Sequence, residues 1–153
     1  MNLPSDFADL LQAFDEFRAD YMIVGGYAVA FHGAPRFTKD LDIFIRDEKE
    51  NIGRVVSALT AFGAPPVTLQ AIKDLQGLDV AWLGNPPLRI DFMTHIPGID
   101  YQQAATRKLR RHWGEKEVCV ISLKDLLTTK AASGRPQDVV DIDLLRKANP
   151  TDE

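Results

Sequence analysis

The segment Asp40-Leu41-Asp42-Ile43-Phe44-Ile45 is the strongest constraint in the chain. Its acids and aliphatics alternate with a period of two, the spacing of a strand whose faces meet different surroundings. Leu41, Ile43 and Ile45 are expected to enter a core, with Asp40, Asp42 and Phe44 on the other side. Carboxylates at i and i+2 of a strand have Cβ atoms roughly 6.5–7 Å apart, so Asp40 and Asp42 can share a metal site. Taken singly, each reads as a solvated acid, and the order of the neighbouring elements decides between the two readings.

That order begins with Phe7, Leu10, Leu11, Phe14 and Phe17, which recur at helical spacing and predict an amphipathic helix over about 5–19, with Ser5 as its cap. Tyr21 to Val24 is a short apolar strand stopped by Gly25-Gly26, and Tyr27 to Phe31 a small helix closed by His32-Gly33. Residues 34–39 read as a loop leading into the acidic strand. Ile52, Val55, Val56 and Leu59 predict a helix over 48–62, ended by Gly63 and Pro65-Pro66. Residues 67–76 carry no clear period. Leu78 to Leu83 and Leu88 to Met93 read as a hairpin through Gly84-Asn85-Pro86-Pro87. Beyond it the pattern predicts a helix over about 100–111, a strand at 117–121, a helix from Ser122 to Ser133, and a last helix after Gly134-Arg135-Pro136. The expected fold is α/β (α+β): a mixed central sheet flanked by helices, in one domain over 1–153. Its core should span about 20–95, and a C-terminal helical extension about 100–149.

At 153 residues, 45% hydrophobic and 26% charged, the composition is that of an ordinary globular chain. No apolar run approaches the ~20 residues a membrane helix needs, and the first residues do not resemble a secretion signal, so a soluble, cytoplasmic protein is expected. The single Cys119 cannot form an internal disulfide. A net charge of −4 argues against a surface that coats nucleic acid. Arg107, Lys108, Arg110 and Arg111, followed by His112-Trp113, form one local basic patch. It reads either as a solvated helix face or as a contact for RNA phosphates with Trp113 free to stack.

Asp91, on the second hairpin strand, can add a third carboxylate to Asp40 and Asp42, making an oxygen-rich site suited to Mg²⁺. Gly25 and Gly26 lack Cβ atoms, so a phosphate group can approach the main chain where a helix begins.

Val24-Gly25-Gly26 through Gly33, Arg36-Phe37-Thr38-Lys39-Asp40-Leu41-Asp42-Ile43 and Arg89-Ile90-Asp91-Phe92 together resemble, in order, the signature of the DNA-polymerase-β-like nucleotidyltransferases. The resemblance covers about residues 21–93. Within that superfamily the chain looks most like the compact AbiEii-type group of toxin-antitoxin and abortive-infection systems. Their helical Lys, Arg and Asp-rich helix are matched by Lys124, Lys130, Arg135, Asp138 and Asp141. The resemblance implies transfer of an NMP from an NTP, with one or two Mg²⁺ ions on Asp40, Asp42 and Asp91. These three are the implied catalytic residues, with Asp91 as general base. It also implies nucleotide contacts from Gly25, Gly26, Arg36, Thr38 and Lys130, with Lys124, Arg135, Asp138 and Asp141 as secondary positions. The acceptor hydroxyl would belong to a tRNA or other RNA end, a partner protein or a small molecule. The alternative is an inactive antitoxin or regulator that keeps the fold and binds a protein. Gly26 stands where many members carry serine, which shifts phosphate contacts toward main-chain N–H groups. The chain lacks the length of templated polymerases.

Overall fold

A computed structural model describes residues 3–35, 37–85 and 88–150. Its centre is a six-stranded mixed sheet of β1 (Tyr21–Val24), β2 (Asp40–Ile45), β3 (Ala81–Asn85), β4 (Leu88–Met93), β5 (Leu109–Trp113) and β6 (Lys116–Val120), in the order β3-β4-β2-β1-β6-β5. β2 runs parallel to β4 and antiparallel to β1, β1 runs parallel to β6, and β3 and β5 close the two edges as antiparallel partners. The α/β expectation therefore holds.

One face of the sheet carries Tyr21, Ile23, Leu41, Ile43, Ile45 and Phe92, all buried. It is covered by α1 (Ser5–Glu16), whose Phe14 ring lies 5.5 Å from Tyr21 and 6.2 Å from Phe92. α3 (Lys49–Phe62) packs beside α1. It ends at Gly63, whose φ of 99° is the left-handed conformation that a glycine adopts without Cβ strain. The opposite face bears the acids. Its far end is sealed where Phe44 meets Tyr101 of α5 (Tyr101–Ala105), at 4.7 Å between ring centroids. α2 (Gly25–Phe31), α6 (Leu123–Ser133) and α7 (Pro136–Ala148) complete the layers.

Several expectations are corrected. α1 is preceded by Pro4, with Ser5 already its first residue, and it ends at Glu16. Residues 67–76 hold most of a helix, α4 (Pro66–Lys73), opened by proline at its first position, where the missing N–H costs nothing. β3 starts at Ala81 and extends to Asn85, so Leu78 and Val80 lead into the strand from outside it. The expected helix over 100–111 stops at Ala105, and Leu109–Trp113 pairs with Lys116–Val120 as a hairpin turning at Gly114, φ 63°. Cross-strand partners and a glycine turn outweighed the local helical character of that stretch. Residues 100–149 are thus no purely helical extension, since β6 lies against β1 with Ile23 opposite Val120. No helix among the described residues is long and apolar enough to cross a membrane.

Candidate active site

Strand register assembles the acids. Asp42 on β2 stands opposite Val24 of β1 on one side and Asp91 of β4 on the other, and Asp91 in turn faces Trp82 of β3. Residues in register on neighbouring strands project from the same face about 4.8 Å apart. Val24, Asp42, Asp91 and Trp82 therefore form one row across the sheet. Asp40, opposite Arg89, lies two residues along the same face. The structure brings Asp42 and Asp91 within hydrogen-bonding reach of each other, and burial, the charges of Asp91 and Asp40 and that hydrogen bond push the Asp42 carboxyl up to about 7. As the side chains stand, no group of three His, Cys, Asp or Glu among the described residues is drawn together tightly enough to hold a metal ion. Both oxygens of Asp91 accept from Arg89, at 2.8 and 3.2 Å.

Gly25 begins α2 directly after β1 with φ 70°, and a Cβ there would lie 2.9 Å from Asp42 Cγ and closer still to Oδ2. The glycine is required twice, by its backbone conformation and by the carboxylate against its Cα. Gly25→Ala is expected to cost roughly 1–3 kcal/mol and to displace Asp42. Urea unfolding of the pure variant measures the cost, and wild-type stability would show that the site has room to give.

Above the row lies a cavity of about 340 Å³. Its walls include Gly25, Asp42, Asp91, Lys130, Arg135 and Asp138 on the polar side and Leu78, Val80, Met93 and Ile96 on the apolar side. Lys130, 5% exposed, holds its Nζ 3.3 Å from Asp138 and 2.9 Å from Asp141. Asp141 also accepts from Gln137 at 2.9 Å. Burial opposes ionisation of Asp138, but hydrogen bonds from Arg135 and Ser133 and the Lys130 charge hold its carboxyl well below the usual carboxylate range. The α6–α7 junction is thus one fixed ionic cluster on the cavity wall.

Other expected residues are placed differently. Lys124 is exposed on the first turn of α6 and does not line the cavity. Gly26 is buried within α2, and Thr38 Oγ1 donates to the Asp40 carbonyl at 3.4 Å. Arg36 lies outside the described residues. Three cations of the basic patch are paired with acids, Arg107 with Asp125 at 2.9 Å, Lys108 with Asp20 at 2.8 Å and Arg110 with Glu117, while Arg111 is exposed. Trp113, 1% exposed among Phe7, Tyr27 and Phe31, offers no face for stacking. Sequence reasoning passed over Arg89, Leu78 and Val80. The i, i+2 pair Arg89/Asp91, repeating the spacing of Asp40/Asp42, was the available signal for Arg89.

A mixed sheet with two acids in register beside a glycine-opened helix is the layout of a nucleotidyltransferase fold, and solved structures agree. The chain is similar to the lincosamide antibiotic adenylyltransferase LnuA in its lincomycin-bound form, at 14% identity and TM-score 0.61, over 97% of this chain and 99% of that one. It is similar to the antibiotic-resistance factor ANT(2'')-Ia at 15% identity and TM-score 0.60, over 94% and 82%. A Thermotoga maritima protein assigned to the nucleotidyltransferases matches at 15% identity and TM-score 0.57, over 96% and 94%. No curated protein sequence matches the chain. The profile described as "Nucleotidyl transferase AbiEii toxin, Type IV TA system" matches residues 9–153. The chain belongs to this family of toxin-antitoxin nucleotidyltransferases and is an enzyme of nucleotidyl transfer.

Proposed function

We propose that this enzyme moves an NMP from an NTP to an acceptor hydroxyl in a Mg²⁺-dependent reaction centred on Asp42 and Asp91. The observation that carries this reading is the register of those two acids on adjacent parallel strands, at the floor of a cavity also lined by Lys130 and Arg135. The donors suit the ion: carboxylate oxygens are hard ligands, and burial together with the charges of Asp91 and Asp40 raises Asp42, a penalty on the charged form that a divalent cation relieves. One or two Mg²⁺ held by Asp40, Asp42 and Asp91 would supply neutralisation of the triphosphate and a lowered pKa for the acceptor hydroxyl.

The protein groups divide the remaining work. The triphosphate runs from Gly25 and Gly26 toward Lys130 and Arg135, with Arg36 and Thr38 as further contacts and Asp138 and Asp141 holding Lys130 in place. The acceptor oxygen bonds to the α-phosphorus as the bond to the bridging α–β oxygen breaks, and pyrophosphate departs with that electron pair. Asp91 takes the acceptor proton. In-line displacement places the acceptor on the side away from the pyrophosphate. That is the β3 edge, where Leu78, Val80 and Trp82 are exposed. Arg107, Lys108 and Arg110 of the basic patch are paired with acids while Arg111 stays exposed, and an RNA end, a protein hydroxyl and a small molecule are separated by experiment.

Incubation with each α-labelled NTP and Mg²⁺, against total RNA, cell protein and a panel of hydroxylated small molecules, is expected to label one acceptor class and to release pyrophosphate. In parallel, a saturating nucleotide at about 100 times its Kd should raise Tm by roughly 5–10 °C only when Mg²⁺ is present. No label and no thermal response to any nucleotide would overturn the reading in favour of a protein-binding regulator.

A further inference from the structure

Arg89 is tied to the candidate catalytic row by two contacts of different kinds. Its Nε and a terminal guanidinium nitrogen donate to the two oxygens of Asp91 at 2.8 and 3.2 Å, and its Cζ lies 5.8 Å from the ring centroid of Trp82. Asp91 is nearly enclosed, its side chain 12% exposed, whereas that of Arg89 is 37% exposed. Trp82, at the sheet edge, is 58% exposed.

We propose that Arg89 is a resident counter-ion of Asp91, a positioning residue that holds this carboxylate in the free enzyme, yields it when a divalent cation binds, and then closes further onto the Trp82 indole that it already touches. The inference rests on the reading of Asp40, Asp42 and Asp91 as cation ligands. Arg89 occupies a lone pair on each oxygen of Asp91 and sets a positive charge against them, so a cation gains less at this carboxylate than at one free of the guanidinium. The pair is weak enough to yield, because a guanidinium with a third of its surface in water gains little from an ion pair. Trp82 keeps hold of it meanwhile, since an aromatic face attracts a guanidinium within about 6 Å of the ring centroid and Arg89 at 5.8 Å is near the outer limit of that range. In the free enzyme Arg89 thereby offsets part of the repulsion among three acids and lowers their affinity for a bare cation. An incoming nucleotide brings its own cation and its own anionic oxygens, so loading is favoured when both arrive together.

The test uses the whole chain and a metal probe alone. Mn²⁺ binding is measured by electron paramagnetic resonance for the wild type, Arg89→Met and Arg89→Lys, without nucleotide. Both variants are expected to bind Mn²⁺ about five- to tenfold more tightly than wild type. Lysine keeps the charge but not the two-point grip, so Arg89→Lys separates the proposal from simple charge removal. The chain has two tryptophans, and Trp113 is buried, so solvent-sensitive emission reports on Trp82. Mg²⁺ should shift that emission in the wild type and leave Trp82→Phe unchanged. An Arg89→Lys affinity equal to wild type, or Mg²⁺ loading with no emission change, overturns the role of Arg89. If no form of the protein binds Mn²⁺, the cation-site reading falls and this inference with it. Equal binding by all three forms removes the inference alone.

Discussion

Lys130→Met should lower stability by about 3–5 kcal/mol, the usual consequence of removing one partner from a buried ion cluster. Lys130 is 5% exposed, Asp138 1% and Asp141 0%, so the variant leaves two carboxylates inside the protein without the ammonium that lies 3.3 and 2.9 Å from them. Asp138 retains Arg135 at 2.9 Å, and Asp141 retains the Gln137 amide at 2.9 Å. For a chain of this length the corresponding fall in Tm is on the order of 10 °C. Thermal unfolding at neutral pH measures it, and Lys130→Met with Asp141→Asn should recover part of the loss because one buried negative charge is gone. A Lys130→Met protein as stable as wild type would show that water reaches the cluster and that the lysine is free to serve the nucleotide alone.

Asp42→Asn should act in opposite directions on activity and stability. Loss of a central carboxylate is expected to reduce transfer at least about a hundredfold, in line with removal of one group that stabilises transition-state charge. Stability follows the raised pKa of Asp42, about 7 against an ordinary 3.8, caused by burial and by the charges of Asp91 and Asp40. The fold holds the proton more tightly than the unfolded chain does. The resulting contribution is fully present below about pH 4 and is lost as pH rises toward 7. In metal-free buffer the variant should therefore gain roughly 2 kcal/mol at pH 8, after allowance for partial exposure of the site, and much less at pH 5. That corresponds to about 4–8 °C in Tm at the higher pH. Equal melting of the two proteins across this pH range would show that Asp42 is not destabilised by its neighbours.

The row of acids was legible because strand periodicity is a local property. Leu41, Ile43 and Ile45 had to point away from Asp40 and Asp42 whatever the rest of the chain did. The meeting of Asp42 with Asp91 follows from a parallel pairing across 49 positions, which only the ordered likeness to a known signature could suggest. Local reasoning failed where tertiary pairing decided. Leu109 to Trp113 has polar residues at three of five positions and no strong strand alternation, and it becomes a strand because β6 accepts it in register. The basic cluster was read as free for the same reason: Asp20 and Asp125, which neutralise Lys108 and Arg107, are far away in sequence. Arg89 was quoted beside Asp91 without a role, because its i, i+2 spacing puts the two on one face but only the structure shows the guanidinium bonded to both oxygens of that carboxylate.

Asp20, just before β1, accepts from Arg46 at 2.6 Å, from Tyr101 at 2.7 Å and from Lys108 at 2.8 Å, while Asn51 bonds its backbone N–H and carbonyl at 2.7 and 3.0 Å. This knot sits at the Tyr21–Ile45 end of the central strands, and the acids sit at the Val24–Asp42 end. The sheet therefore works like a clothes-peg. Its spring is one aspartate, its carboxylate tied to three side chains and its main chain to a fourth, and its jaws are the repelling acids. Register is fixed from the far end, so the jaws can change charge, partner or contents without the strands slipping past one another.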